Sequence, residues 1–93
     1  MIKTLRHKGL KNLFLKGAAS GLPPKSVKRI AMILDLLDHA ASPEDTDAPG
    51  LRFHRLKGNP TRYALWVDEN YRVTFEWDGE HAFRVDFEDY HGR

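Results

Sequence analysis

The apolar residues of the chain change their spacing near Gly50, from a helical repeat to a strand repeat. Upstream, one stripe follows the i, i+3, i+4, i+7 spacing of a buried helix face. Its members are Val27, Ile30, Ala31, Leu34 and Leu37. Pro23 and Pro24 precede the stripe, so a helix is predicted to open there, where a missing N–H costs little. A shorter amphipathic helix is predicted to end near Gly17. Its apolar residues are Leu10, Leu13 and Phe14.

Downstream of Gly50, apolar and polar residues alternate in three segments, the pattern of half-buried strands. The apolar members are Tyr63, Leu65 and Val67, then Tyr71, Val73, Phe75 and Trp77, and finally Phe83, Val85 and Phe87. Asp78-Gly79, between the last two segments, is a strong hairpin signal. A further strand is predicted to begin within residues 51–57, and residues 1–6 are predicted to form a short strand.

Helices followed by an antiparallel meander predict a small α+β domain spanning residues 1–93. Two N-terminal helices should pack on one face of the antiparallel sheet and leave the other face exposed. The composition, 41% hydrophobic and 30% charged, is typical of a soluble globular protein. No apolar run approaches the roughly 20 residues of a membrane helix, and residues 1–8 lack the features of a signal peptide. Cysteine is absent, which excludes disulfides and thiolate zinc sites. We therefore expect a cytoplasmic protein without membrane contact.

Charge is distributed unevenly along the chain. Residues 1–30 contain eight lysines and arginines and no acid, residues 31–50 contain five acids and no lysine or arginine, and residues 51–72 are basic again. Two basic blocks and a pI near 9.0 favour a polyanionic partner. Solvated lysines that keep the protein soluble explain the same pattern equally well. Lys25, Lys28 and Arg29 lie off the stripe of the second helix and are expected to be solvated.

Arg72 alternates with the apolar residues of its predicted strand, so it should point to the open face of the sheet. A surface pair with Glu76 or Asp86 is the simpler interpretation. His54 and Lys57 lie near the end of the first predicted strand, where a loop follows, a common place for functional residues. A surface histidine and an edge lysine would look the same in sequence.

The segment Asp89-Tyr90-His91 places a carboxylate, a phenol and an imidazole in a row at the end of the last strand. The five histidines of the chain show no HxxxH or HExxH spacing, so neither a metal site nor another cofactor is expected. The remaining groups suit phosphodiester cleavage without a metal. They are His54, Lys57, Arg72, Asp89, Tyr90 and His91. A ribose 2′-OH nucleophile would confine this chemistry to RNA.

Four segments resemble HigB toxins, which belong to the RelE superfamily of type II toxin–antitoxin systems and include a branch represented by GraT. They are His7-Lys8-Gly9-Leu10-Lys11-Asn12-Leu13-Phe14, Leu56-Lys57-Gly58, Tyr71-Arg72-Val73-Thr74-Phe75 and Glu88-Asp89-Tyr90-His91. The resemblance implies a RelE-like microbial ribonuclease fold whose open sheet face holds RNA. It also implies ribosome-dependent mRNA cleavage in the A site and neutralisation by a helix-turn-helix antitoxin, HigA. Operator DNA would be bound only through the antitoxin complex.

The resemblance implies that the six catalytic candidates match functional positions of the HigB family. His91 is interpreted as the base and Asp89 as the residue that positions it, with His54, Lys57 and Arg72 stabilising the phosphate. The opposite division of base and acid between His54 and His91 stays open. Four basic residues are expected to bind RNA or the ribosome. They are Lys8, Lys11, Arg55 and Arg62. A non-catalytic RNA-binding or ribosome-binding inhibitor, or an operon co-repressor acting with its antitoxin, is the alternative.

Overall fold

The computed structural model describes residues 1–90 and confirms the predicted α+β fold. The helices are α1 (Lys8–Lys16) and α2 (Val27–His39), and the strands are β1 (His54–Leu56), β2 (Arg62–Trp66), β3 (Tyr71–Trp77) and β4 (Ala82–Asp89). The strands pair antiparallel with their neighbours in chain order, which makes a four-stranded meander. Within the described residues, neither helix is long and apolar enough to cross a membrane.

Both ends of α1 are set by local side-chain and backbone chemistry. The ring nitrogen Nδ1 of His7 accepts hydrogen bonds from the backbone N–H groups of Gly9 and Leu10, at 3.0 and 3.3 Å. These contacts satisfy donors that have no partner inside the first helical turn. Gly17, at φ 69°, adopts the left-handed conformation that ends many helices, where a side chain would be strained. The predicted end of this helix near Gly17 is confirmed.

The second helix begins slightly later than predicted, because the Pro23-Pro24 step leads into a 3₁₀ turn at Pro24–Ser26. The stripe prediction was wrong at Ala31, which is exposed, and it missed Ile33, which is fully buried. The buried positions of α2 are Ile30, Ile33, Leu34 and Leu37. These four residues are spaced three or four positions apart and form a narrower buried face than predicted. Ala31 lies next to this face, on the exposed side.

The helices cover one face of the sheet, and the apolar core lies between the two layers. Fully buried side chains from both layers meet there. They include Leu10, Ile30, Leu37, Leu65, Val73, Phe75 and Val85. Each large apolar side chain removed from water contributes about 1.5–3 kcal/mol. Tyr63 stacks on Phe75 at 5.3 Å between ring centres, which extends this core toward β1. The apolar period of the strands therefore fixes which face the helices cover.

Residues 1–6 run parallel to β4, as two isolated bridges rather than the predicted continuous strand. Ile2 is bridged to Ala82 and Leu5 to Val85. The backbone N–H of Lys3 donates to the Ala82 carbonyl at 2.8 Å. This segment occupies the outer edge of β4, so the edge's backbone groups find partners.

A β-bulge in β4 makes the predicted alternation wrong at Phe83. Thr74 is paired with Asp86, whereas Glu76 is paired with Phe83, so β4 contains one extra residue. Arg84, within the bulge, has φ 48°. The extra residue moves Phe83 to the open face beside Glu76, because directly opposed residues share a face. Ala82 takes the position opposite Trp77 on the covered face and is fully buried.

Candidate active site

The strand register gathers polar and aromatic side chains on the open face of the sheet. One row across the strands contains Trp66, Arg72 and Glu88, and the next contains His54, Ala64, Thr74 and Asp86. Residues directly opposite each other on paired strands point to the same side. The prediction that Arg72 points away from the helices is therefore confirmed, and His54 lies on the same face.

A cleft of about 320 Å³ opens on this face. The described residues that line it are Arg52, His54, Leu56, Ala64, Trp66, Arg72 and Tyr90. Three of the six predicted catalytic residues thus line one cleft, although they come from β1, from β3 and from the segment after β4. Only the folded sheet brings these three residues together.

Arg72 is held in a fixed position at the cleft wall. Its Nη1 donates hydrogen bonds to the carbonyls of Asp68, at 2.6 Å, and Tyr71, at 2.9 Å. Its Cζ lies 5.0 Å from the centre of the Tyr90 ring. A guanidinium has five N–H donors, so bonds from a single nitrogen leave capacity for an anion. The predicted alternative, a pair between Arg72 and Glu76 or Asp86, is wrong within the described residues.

The first two residues of the predicted Asp89-Tyr90-His91 segment are anchored to the turn between β2 and β3 and to the start of β3. The backbone N–H of Tyr90 donates to the Asn70 carbonyl, and Asp89 is paired with Tyr71. Since Tyr71 stacks on Phe87 on the helix side, Asp89 occupies a register position on the covered side rather than beside Arg72. His91 lies outside the described residues. The predicted positioning of His91 by Asp89 stays a prediction.

Lys57 follows the last residue of β1 and is exposed. Its neighbour Leu56 lines the cleft, whereas Lys57 is not among the described lining residues. The loop that follows contains Gly58, at φ 141°, and the cis peptide bond between Asn59 and Pro60. Lys57 thus directly follows a lining residue in sequence without lining the cleft itself.

The four residues predicted to bind RNA or the ribosome are dispersed. Lys8 and Lys11 lie on α1, in the layer behind the sheet, and Arg55 is paired with Tyr63, whose ring packs toward the core. Arg62 is on the open face, opposite Leu56. Its Nη2 donates to Thr74 Oγ1 at 2.8 Å and forms an ion pair with Glu88, which also accepts a hydrogen bond from the Thr74 hydroxyl. The structure does not bring these four residues together at the cleft.

Four lining residues were missed by the sequence interpretation, and two of them, Arg52 and Trp66, have side chains that can bind a ligand. Trp66 falls between Leu65 and Val67, out of phase with the buried positions, and an aromatic residue at an outward position was a signal that could have identified it. Arg52 carries no comparable signal, because its position depends on a φ of 47° in the loop before β1. The expectation that Arg29 is solvated was also wrong. It is half-buried, and its Nη2 donates to the Gly50 carbonyl at 2.6 Å.

The described residues do not form a metal-binding cluster. No group of three or more His, Asp or Glu side chains in residues 1–90 is arranged to hold a metal ion. The groups available in the cleft are an imidazole, a phenol and two guanidiniums, from His54, Tyr90, Arg52 and Arg72. Such a set can bind a phosphodiester, stack on bases and exchange a proton.

The matches to known proteins extend over the cleft residues and over His91. A family model described as a RelE-like toxin of the type II toxin–antitoxin system HigB matches residues 3–91. The Endoribonuclease HigB of Proteus vulgaris is 39% identical over 92 residues, which cover 98% of this chain and 100% of that protein. The matched residues include all the described cleft residues together with His91.

Proposed function

Since the chain belongs to the HigB-like family of RelE-like toxins of type II toxin–antitoxin systems, we propose that it is an endoribonuclease that cleaves messenger RNA on the ribosome. The membership confirms the resemblance drawn from the four sequence segments. The observation that carries the proposed activity is the cleft on the open sheet face, where His54, Arg72 and Tyr90 meet. A similar protein of Proteus vulgaris is named an endoribonuclease, which supports the same reaction class.

The proposed reaction is a metal-independent transesterification within RNA. His91 removes the proton from a ribose 2′-OH, with Asp89 orienting its imidazole. The 2′ oxygen then attacks the adjacent phosphorus, and the bond from phosphorus to the 5′ oxygen breaks. A 2′,3′-cyclic phosphate forms, and the departing 5′ oxygen takes up a proton from an acid in the site.

Charge on the phosphoryl oxygens is stabilised by cations around the cleft. Arg72 is the central one, because its contacts with the Asp68 and Tyr71 carbonyls fix the guanidinium before substrate binds. His54 contacts the phosphate from β1, and Lys57 approaches it from the position after that strand. Tyr90 stacks on a nucleobase next to the cleavage point. Its ring lines the cleft beside the Arg72 guanidinium, so a base that stacks on the ring would lie next to the phosphate that Arg72 binds.

The proposed setting of the reaction is the ribosomal A site, where the mRNA is single-stranded and held in place. A net charge of +2 and a pI near 9.0 support binding to a polyanionic surface. The proposed partner that neutralises the toxin is a helix-turn-helix antitoxin of the HigA type. Operator DNA is contacted only through the complex with that antitoxin.

Mapping of mRNA ends tests the reaction. Messages from cells that express the protein are analysed by primer extension, together with messages from cells that express the His91→Gln variant. We expect discrete breaks in translated regions with the wild-type protein and none with the variant. Purified protein should cut mRNA on programmed ribosomes and leave the same mRNA intact when ribosomes are absent.

Two results would contradict the proposal. Intact messages stalled on ribosomes, with growth arrested, would identify a non-catalytic inhibitor instead. Equal cutting of free and ribosome-bound mRNA would overturn the ribosome dependence alone. Circular dichroism of both purified proteins checks that His91→Gln preserves the fold.

A further inference from the structure

We propose that Trp66 and Arg52 form a stacking subsite for a nucleobase of single-stranded RNA, beside the nucleotide contacted by Tyr90. This inference rests on the proposed function, because it assigns an additional nucleotide contact to the same cleft. Neither residue is among the six catalytic candidates or the four basic residues predicted from the sequence to bind RNA.

The position of Trp66 is unusual for a large aromatic side chain. It lies on the open face, opposite Arg72, and is only half-buried. The neighbours Leu65 and Val67 supply the core contacts of this segment, at 0% and 2% exposure. Trp66 is not needed to fill the core, and it presents indole surface to a cleft on the uncovered side.

The backbone of Trp66 is fixed from both sides. Its N–H donates to the Leu51 carbonyl at 2.6 Å, and its carbonyl accepts a hydrogen bond from Arg29 Nε at 3.4 Å. Arg29 also bonds the Gly50 carbonyl, which ties the loop before β1 to the end of β2. A ring mounted on such a backbone loses little conformational freedom when it binds a ligand.

Arg52 is brought over this ring by a backbone conformation that few non-glycine residues adopt. Its φ is 47°, and its Cζ lies 4.6 Å from the centre of the Trp66 ring. The side chain is exposed at the cleft. A guanidinium on an indole offers two planar groups that stack on bases, together with N–H donors that bind phosphate.

The contact of Arg52 with Trp66, whose ring centre also lies 5.3 Å from Arg29 Cζ, resembles the contact of Arg72 with Tyr90 in the same cleft, where the distance from Cζ to ring centre is 5.0 Å. Within residues 1–90, no carboxylate lies within ion-pair distance of Arg52 or Arg72. Single-stranded RNA presents unstacked bases and phosphates in alternation, and aromatic and arginine side chains bind these two parts. Two such pairs in one cleft fit two nucleotides near the cleavage point.

The chain provides a matched control for this pair. Arg84 has φ 48°, is exposed, and has its Cζ 5.8 Å from the centre of the Phe83 ring. It differs from Arg52 in two respects: it lies outside the cleft, and its Nη1 is 3.4 Å from a Glu76 carboxylate oxygen. Arg84→Ala thus removes the same side chain from a similar backbone without touching the proposed subsite.

The first test measures cleavage of mRNA on programmed ribosomes under single-turnover conditions. Trp66→Ala should raise the ribosome concentration needed for half-maximal rate by roughly 10-fold, with a smaller change in maximal rate, because base stacking is lost. It should also change the base preference next to the cut. Trp66→Phe should restore most of both properties, and Arg52→Ala should resemble Trp66→Ala. Arg84→Ala should behave as wild type.

A folded Trp66→Ala protein with wild-type half-saturation and cleavage pattern would overturn the subsite, provided that the wild type cuts. Equal losses in Arg52→Ala and Arg84→Ala would overturn it too, since the effect would then be one of general charge. A wild-type protein that does not cut would instead count against the proposed function. Thermal unfolding of every variant checks that the fold is kept.

A second test reads binding without cleavage. Trp66 and Trp77 are the two tryptophans of the chain, so Trp77→Phe leaves Trp66 as the single fluorescent reporter. A 2′-O-methyl RNA oligonucleotide, which lacks the attacking hydroxyl, should quench Trp66 fluorescence in a saturable manner. In the Trp66→Phe protein, where Trp77 reports, the fluorescence should stay unchanged. No quenching in either protein, or equal quenching in both, would overturn the inference independently of catalysis.

Discussion

The open face of the sheet has two ends that share a local arrangement and differ in charge balance. At the cleft end, Arg52 lies over Trp66, and at the hairpin end, Arg84 lies over Phe83, each arginine with a left-handed φ. At the hairpin end the arginine is paired with an acid, since Arg84 Nη1 lies 3.4 Å from a Glu76 carboxylate oxygen. At the cleft end the arginines contact rings or backbone carbonyls instead. The same arrangement therefore stabilises structure at one end and leaves positive charge for a ligand at the other.

The boundary between the two ends is formed by a polar cluster across β2, β3 and β4. Glu88 is opposite Arg72 in the strand register, and its carboxylate is bound by Arg62 and by the hydroxyl of Thr74. Arg62 thus engages the acid that is nearest to Arg72 in the register. The charge of Arg62, which was predicted to bind RNA, is thus paired with an acid of the sheet, whereas the Arg72 guanidinium bonds backbone carbonyls.

Arg72→Ala should give the largest effect and separates the two ends most clearly. We expect RNA cleavage to fall by about 10²–10³-fold, about 2.7–4 kcal/mol in transition-state stabilisation, because a preorganised donor to the phosphate is lost. Arg84→Ala is the control and should retain cleavage. Single-turnover rates on programmed ribosomes check both variants. A similar loss in the two would show that the ends of the face are not functionally distinct.

Sequence periodicity predicted the parts of this site that depend on alternation. Arg72 sits between Tyr71 and Val73, two apolar residues of the covered face, so its direction followed from a period of two. His54 was correctly assigned to a strand that enters the same sheet. The presence of both on one face required that the strands pair in chain order, which short connections favour, and also that the register put His54 opposite Ala64.

The rest depended on single backbone torsions and on strand register, which hydrophobic patterns do not encode. The left-handed φ of Arg52 brings its side chain over Trp66, and the bulge at Arg84 moves Phe83 to the open face. One inserted residue reverses the direction of every side chain beyond it until the register recovers. The position of Asp89 opposite Tyr71 likewise follows from register and not from residue type.

Thr74→Val should give the next largest effect, and it tests the boundary cluster. Thr74 is fully buried, and its hydroxyl connects Arg62 to Glu88. Valine keeps the shape but removes the hydroxyl, so we expect about 1–3 kcal/mol less stability in urea unfolding. Thr74→Ser retains the hydroxyl and should recover much of the loss. A Thr74→Val protein as stable as wild type would show that the cluster contributes little to the fold.

Glu76→Gln should give a smaller effect, confined to the hairpin end. Its contact with Arg84 joins a nearly buried carboxylate to an exposed guanidinium, at 9% and 57% side-chain exposure. Pairs with one exposed partner contribute about 0–1 kcal/mol, so the free energy of unfolding should fall by no more than that. RNA cleavage should remain at the wild-type rate. A tenfold loss of cleavage in a folded Glu76→Gln protein would extend the functional surface to this end.

The smallest expected effect concerns acid pH and the hairpin itself. The Asp78 carboxylate accepts hydrogen bonds from the backbone N–H of Glu80, from Lys3 Nζ and from the backbone N–H of His81, at 2.9, 3.0 and 2.7 Å. These contacts hold the pKa of the Asp78 carboxyl well below its usual range. A lowered folded-state pKa adds stability above the unfolded value, about 3.9, and the contribution is lost as pH falls through the folded pKa.

Melting temperatures of wild type and Asp78→Asn, measured between neutral and acid pH, check this contribution. The difference between the two proteins should be constant near neutral pH and should shrink once the pH falls below the usual aspartate range, because the Asp78 carboxyl is then protonated in the unfolded chain before it is protonated in the folded protein. The effect stays small, since Asp78 is exposed and water screens its charge. A difference that persists unchanged at the lowest pH would show that Asp78 stabilises the hairpin through turn geometry and not through its charge. The charge of Asp78 would then not contribute to the difference between the hairpin end and the cleft end.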